Sequence, residues 1–386
     1  MKELIKKKSH QFLKKQLLEK TRNFKNIFFI DVDNSEARKV LSEINALEIT
    51  STHLILKDES VFITEVLENL NFLKDKISSS SRIIIYQQDC LKDIKKICQD
   101  FEYEILEEKS NVFGISFYVL RPVVKLKPED HFLSIIVPCR NEKGNIEKLI
   151  VEMPKLDVPF EIIFVEGHSL DNTWEEILRV KKIYGDKFEI NCLQQTGSGK
   201  ANAVEEGIAI SKGCLITILD ADLTVHPTDL VKFIDLFMSG EADFVNGCRL
   251  TLPMEKGAMR SLNKFGNWFF AQFLSFVLRV KITDSLCGTK LFRKKDYDRF
   301  KIWREDFGNY DPFGDFNLLF PASVLKLGIK NLPVQYRARV YGSTNISRFY
   351  HGWLLFKMGV IGLFKIRLKI FLNLVMLIPE NFQNYL

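Results

Sequence analysis

The chain has 386 residues, of which 46% are apolar and 27% charged, with a net charge of +6. This is enough for two domains with cores of their own and excludes a disordered chain. The mild basic excess is too diffuse for a nucleic-acid binder, whereas an anionic lipid surface or a phosphorylated ligand suits it. The 32 Phe need a place in a core or on a lipid-facing surface. The seven Cys are odd in number and form no CxxC pair. That argues against a disulfide framework or a zinc site and for a reducing compartment.

Residues 1–24 are basic and lack a continuous apolar core, so they read as a leader helix and not as a signal peptide. Residues 25–121 alternate between short apolar runs and helical patterns. Strands are expected at Ile27–Ile30, His53–Leu56 and Arg82–Tyr86, and helices at Glu36–Ala46, Ile63–Lys76 and Leu91–Gln99. Alternation at this pitch predicts a parallel α/β sheet. Glu102–Leu106 and Phe113–Leu120 would close it as an antiparallel hairpin. Residues 122–130, with Pro122 and Pro128 around a charged stretch, read as a linker.

A second α/β series follows over 131–350. Leu133–Val137, Glu161–Val165, Cys214–Leu219 and Phe244–Gly247 are expected strands; Ile146–Met153 and Asn172–Tyr184 are expected helices, the latter capped by Asp171 or Asn172. The chemically interesting residues lie just past strand carboxyl ends, where open parallel sheets bind ligands. Asp220 and Asp222 in ILDADL follow a buried strand. Two carboxylates so close repel one another and need a cation to stay ionised together. Mg²⁺ or Mn²⁺ held by carboxylates and substrate phosphates would meet that need. Gly197, Gly199 and Lys200 form a loop that lets backbone and one cation approach a phosphate, although the Walker A spacing is absent.

Two further segments are apolar. Asn267–Leu278 is too short to span a bilayer, and His351–Ile378 is interrupted by Lys357, Lys365, Arg367 and Lys369. Both suit helices lying in a membrane interface, with 351–386 as an amphipathic tail.

The ordered blocks SIIVPCRNEKGNIEKLI (134–150), IIFVEGHSLDNTWEEI (162–177), TGSGKANAVEEGI (196–208), ILDADLTVHPTDL (218–230), FVNGCRL (244–250), DSLCGTKLFRK (284–294) and RVYGSTNISR (339–348) resemble the family 2 glycosyltransferases of GT-A type. The likeness is to the dolichyl-phosphate mannose synthase and polyprenyl-phosphate hexosyltransferase branch. It implies a nucleotide-sugar-binding, Rossmann-like domain over 131–350 and an inverting hexosyl transfer. It assigns Pro138, Arg140 and Glu142 to the loop bordering the nucleotide, and Glu166 to the position of an acidic base-and-ribose ligand. It gives Lys200, Asp220 and Ala221 to the donor, and Asp222, with Asp220, to the metal. Arg249, Lys290 and Arg339 would face phosphates, and Asp284 would be the base if the acceptor were a hydroxyl. The segment Glu166-Gly167-His168-Ser169 departs from the family's DDGS, Lys290 stands where an Arg is usual, and Asn345 stands where many relatives have Lys.

ITSTHLILKDESVFITEVLENLNFLKDKISSSSRIIIYQQ resembles the fourth strand, helix and fifth strand of a class I methyltransferase. No glycine-rich loop follows any strand there, so a degenerate domain that does not bind S-adenosylmethionine is expected, with Asp31 a turn residue. The resemblances together imply a nucleotide-diphospho-sugar donor, a lipid-linked or saccharide acceptor, and peripheral attachment to the cytoplasmic face of a membrane. Two alternatives remain: a transferase extending a cell-surface polysaccharide or lipopolysaccharide, and an inactive scaffold of the same fold.

Overall fold

A computed structural model describes residues 26–30, 47–48, 60–64, 82–87, 98–99, 102–110, 116–255, 261–307, 311, 313–342 and 348–368. The chain divides into two compact units, Met1–Lys125 with Ser239–Glu241, and Leu126–Met238 with Ala242–Leu386.

The first unit holds a six-stranded sheet: β1 (Asn26–Ile30), β2 (Leu47–Glu48), β3 (Ser60–Thr64), β4 (Arg82–Gln87), β5 (Tyr103–Ser110) and β6 (Ser116–Pro122), in the order β2-β1-β3-β4-β6-β5. The first four strands are parallel, and β6 runs antiparallel to both β4 and β5. One expectation fails here. Ile63 and Thr64 close a strand paired to β1 and β4 instead of opening a helix, because Ser60–Thr64 is a β-branched run that fills the sheet between two apolar strands. The leader 1–24, the strand at 53–56 and the helix at 36–46 lie outside the described residues.

The second unit is built on a seven-stranded mixed sheet. Its strands are β7 (Leu133–Cys139), β8 (Phe160–Glu166), β9 (Glu189–Gln194), β10 (Leu215–Ile218), β11 (Phe244–Cys248), β12 (Lys290–Arg293) and β13 (Ile329–Pro333). Their order is β13-β11-β12-β10-β7-β8-β9. Strands β10, β7, β8 and β9 are parallel neighbours, and β12 alone runs the other way. The helices are α1 (Lys143–Val151), α2 (Thr173–Tyr184), α3 (Lys200–Ile210), α4 (Leu230–Met238), α5 (Ser261–Leu278), α6 (Lys294–Phe307), α7 (Asp315–Val324) and α8 (Arg348–Gly362), which continues as a π-helical turn to Leu368.

Alternation along the strands explains why two cores form. Ile135, Val137, Ile162 and Phe164 point to one face, where α1, α2 and α4 pack. Ile136, Ile163 and Val165 point to the other, with residues of α3, α5, α7 and α8. Strands covered on both faces read as unbroken apolar runs, which is why β7 and β8 were legible in the sequence. Helix α3 comes close to the sheet at Gly207, where a Cβ would stand 2.6 Å from Ile136 Cγ2 and 3.0 Å from Val165 Cγ2. Gly207→Val is therefore expected to destabilise the second unit by about 1–3 kcal/mol through overpacking, measured by urea denaturation.

Candidate active site

The parallel strands bring their carboxyl ends to one edge, and the loops leaving β7, β8, β9, β10 and β11 carry the candidate residues there. The turn after β7 is knitted to the turn after β8. Asn141, with a φ of 56°, donates its N–H to Ser169 Oγ, and its Oδ1 accepts from the Leu170 N–H. The Glu142 N–H donates to Thr173 Oγ1 and the Lys143 N–H to Asp171 Oδ2. Left-handed backbone at Asn141, His168 and Asn172 lets both turns reverse sharply. Pro138 is the last but one residue of β7, and Arg140, just past the strand, is exposed.

Asp220 and Asp222 do not share one partner. Lys200, at the start of α3, places its Nζ 2.5 Å from Asp220 Oδ1. Burial alone would lower the Lys200 ammonium, but Asp220 and Asp315 outweigh it and hold it above its ordinary value. Burial would likewise raise Asp220, and Lys200, with Lys290 and Arg249, more than offsets that, keeping the carboxyl low. Gly288 is the neighbour that makes this possible: a Cβ there would strike both Lys200 Nζ and Asp220 Oδ2. Asp222 turns away. Its Oδ1 accepts from the Thr224 N–H at 3.0 Å and from Thr224 Oγ1 at 2.7 Å, and its Oδ2 accepts from Arg339 Nη2. Arg339 also donates from Nη1 to Glu142 Oε1 at 3.0 Å. Glu142 is buried, with Oε2 accepting from Asn145 Nδ2 at 2.6 Å. Burial pushes its carboxyl up to about 7, only partly opposed by Arg339. Ala221, between the two aspartates, is buried.

Two expected roles change with this geometry. Asp284 is fully buried and grips Arg249 with both oxygens, at 2.7 Å to Nε, 2.9 Å to Nη2 and 3.0 Å to the backbone N–H. Burial would raise its carboxyl, but Arg249 holds it below the ordinary range. A carboxylate so engaged positions Arg249 and is a poor base. Lys290 is fully buried too, with its Nζ 2.5 Å from Asp315 Oδ1 and donating to the Cys287 carbonyl. It is the counter-ion of Asp315 and not a cation facing a phosphate, because the antiparallel β12 runs it into the interior beside Ile218 and Asn246.

Glu166 is the last residue of β8. It is buried, Oε1 accepts from the Ser169 N–H at 2.5 Å, and Oε2 lies 3.4 Å from Gln194 Nε2. Its carboxylate stabilises its own turn. His168 is a loop residue with Nε2 3.0 Å from the Gly197 carbonyl. Asn345 lies outside the described residues. Tyr341 was not picked out from the sequence. Its hydroxyl donates to Asp171 at 3.0 Å, and a Cβ on Gly144 would stand 2.5 Å from the Tyr341 ring. The aromatic in the 339–348 block was a visible signal, but its partner lies 170 residues away. Asp315 was missed as well, since only folding brings it to Lys290.

The sequence model described as Glycosyl transferase family 2 matches residues 134–300, which carry Glu142, Lys200, Asp220, Asp222, Arg249 and Asp284. Residues 134–300 are a glycosyl transferase family 2 domain. A dolichyl-phosphate hexose transferase of Haloferax volcanii is 27% identical over 221 residues, 57% of this chain and 89% of that protein. A dodecaprenyl-phosphate galacturonate synthase of Rhizobium johnstonii is 25% identical over 230 residues, 56% of this chain and 63% of that protein. Among solved structures, glucosyl-3-phosphoglycerate synthase of Mycobacterium tuberculosis with Mn²⁺, UDP and glucosyl-3-phosphoglycerate aligns with 61% of this chain and 79% of its own, at 16% identity and a TM-score of 0.43. A score that low adds nothing to what the strand order shows. The methyltransferase resemblance of the first unit finds no support in these likenesses.

The Lys290–Asp315 pair offers a clean test of its role. Lys290→Met leaves a buried carboxylate unpaired and is expected to cost about 3–5 kcal/mol in urea denaturation. Adding Asp315→Leu should restore most of that loss; a double variant as unstable as the single would refute the pairing role.

Proposed function

We propose that this chain is an inverting hexosyltransferase that moves a sugar from a nucleoside-diphosphate donor to a polyprenyl phosphate or another lipid-linked acceptor. The observation that carries the reading is the set of carboxylate–cation pairs gathered on the carboxyl edge of the family 2 domain: Lys200–Asp220, Arg249–Asp284, and Arg339 across Glu142 and Asp222. The polyprenyl-phosphate substrates in the names of the Haloferax and Rhizobium relatives support the acceptor class.

The residues fit a divalent cation. Asp222 Oδ2 is engaged by a guanidinium, so the position already favours positive charge, and Asp220 lies two residues away. Asp222, with Asp220 nearby, would hold Mg²⁺ or Mn²⁺ together with donor phosphates. When bound, the ion stabilises negative charge on the departing diphosphate. Lys200 presents an ammonium at the start of α3, beside Gly199, whose φ of 85° turns the chain into the helix. Arg249, set rigidly by Asp284, keeps its planar fork oriented for an anionic group. Each of Glu142, Asp220, Asp222 and Asp284 already accepts from a cation. Asp284, held low by Arg249, is a poor base, so an acceptor whose attacking oxygen is ionised at neutral pH suits it better than a hydroxyl, with Glu142 the one carboxyl of the four that burial carries up to about 7. This favours a phosphate acceptor over the extension of a polysaccharide or lipopolysaccharide.

The opposite end of the reading is the lipid. Among the described residues no helix is long and apolar enough to cross a membrane. Helices α5 and α8 nevertheless expose Phe265, Trp268, Phe276 and Trp353 at 54–63%, and Lys357 and Lys365 are exposed nearby in sequence. Stacking of Phe269 on Phe273, Phe273 on Phe356 and Phe356 on Trp353 joins the two helices into one aromatic face. Aromatic rings with flanking lysines match a membrane interface. Peripheral docking at the cytoplasmic face follows from this reading.

Titration with UDP, GDP and CMP, with and without Mn²⁺, tests it. Metal-dependent binding of one of them is expected, weakened at least about tenfold in Asp222→Asn. Binding of none of the three would favour the inactive scaffold.

A further inference from the structure

We propose that Arg339 is a built-in stand-in for the divalent cation, so that metal and diphosphate bind this site strongly only as a pair. The inference rests on the transferase reading above. Asp222 has two oxygens with different tenants. Oδ1 is held from within its own loop by the Thr224 N–H and hydroxyl. Oδ2, the oxygen left for a cation, is taken by Arg339 Nη2. The same guanidinium spans to Glu142 Oε1, so one cation neutralises carboxylates that arrive from the ends of two different strands.

Arg339 is delivered to this position by a short strap. Tyr341, two residues on, hydrogen-bonds to Asp171 and lays its ring against Gly144. Gly342, with a φ of 78°, turns the chain where a Cβ would stand 3.1 Å from the Asn141 carbonyl. The strap is thus fastened to the turns after β7 and β8. Arg339 remains 28% exposed, as Lys200 does at 26%, whereas Arg249 is at 12% and Lys290 at 0%; of the two more exposed cations it is the one divided between two carboxylates, Glu142 and Asp222.

The consequence is a linkage. A metal ion arriving alone must displace the guanidinium from Asp222 and leave it without that partner. A diphosphate arriving alone meets cations already engaged by carboxylates. Arriving together, the metal takes Asp222 and the diphosphate gives the released guanidinium a new anion. Each ligand therefore raises the affinity of the other by the same factor. A site closed by its own side chain binds more weakly in proportion to the fraction closed.

Mn²⁺ binding to the full chain, followed by the electron paramagnetic resonance of the free ion, separates the possibilities without any turnover. Wild type is expected to bind Mn²⁺ alone weakly and much more tightly with the cognate diphosphate present. Arg339→Gln should bind Mn²⁺ alone about tenfold tighter, and the coupling between metal and diphosphate should shrink by about the same factor. Arg339→Lys, which keeps a positive charge, should return metal-alone binding toward the wild-type level. Tyr341→Phe, which loosens the strap and leaves Arg339 intact, should shift metal-alone binding in the same direction by a smaller factor, and serves if Arg339→Gln does not fold. Unchanged or weaker binding of Mn²⁺ alone in Arg339→Gln, or in Tyr341→Phe where that variant must serve, while wild type still binds metal and diphosphate together, overturns the inference and leaves the transferase reading standing. Failure of wild type to bind any diphosphate with Mn²⁺ sinks both.

Discussion

Carboxylates gathered at one sheet edge repel one another, and the second unit depends on how it meets that repulsion. Glu142 follows β7, Asp220 and Asp222 follow β10, and Asp284 comes from the segment between α5 and β12. The structure supplies cations of its own: Lys200 for Asp220, Arg249 for Asp284, and Arg339 for Glu142 and Asp222 together. Removing charges from water is costly unless each finds a partner with good geometry. That requirement explains features without chemistry of their own, such as the bare Gly288 beside Lys200 and Asp220.

The pairs differ in how firmly they are made, and the difference divides labour. Lys290 is sealed in the interior by Asp315, and Asp315 itself lines a cavity with Lys200 and Gly288. Arg249 is gripped by both oxygens of a fully buried Asp284, which fixes its orientation in advance of any ligand. Preorganised charge of this kind needs little reorganisation when a reaction develops negative charge. Arg339 is the looser member, delivered on a strap and shared between two carboxylates. The gradient from sealed to shared runs from the β12 interior to the mouth of the site.

The aromatic face of α5 and α8 belongs to the same unit as the charged edge. Its inner residues, including Leu274, Val277, Leu355 and Met358, close the core on one side of the sheet. Phe269 and Phe356, both exposed, stack on the half-buried Phe273. One pair of helices thus completes the core and presents an apolar surface, which accounts for part of the phenylalanine surplus in the composition.

The buried strands β7, β8 and β10, and the place of Asp220 and Asp222 just past the end of β10, could all be read from the sequence. Continuous apolar runs and a motif at a strand end are local signals, written in neighbouring residues. Strand β12 was not legible, because its apolar content is only Leu291 and Phe292 between basic residues. Its antiparallel insertion then decided what Lys290 does. The pairing of Asp284 with Arg249, of Lys290 with Asp315, and of Arg339 with Asp222 spans 35, 25 and 117 residues. Sequence shows that a residue carries charge, but not which opposite charge folding will set against it. In a site made of ion pairs, that choice of partner separates a base from a positioning carboxylate and a phosphate ligand from a buried counter-ion. The place of each charge along the chain was therefore local information, and the choice of its partner was left to the tertiary structure.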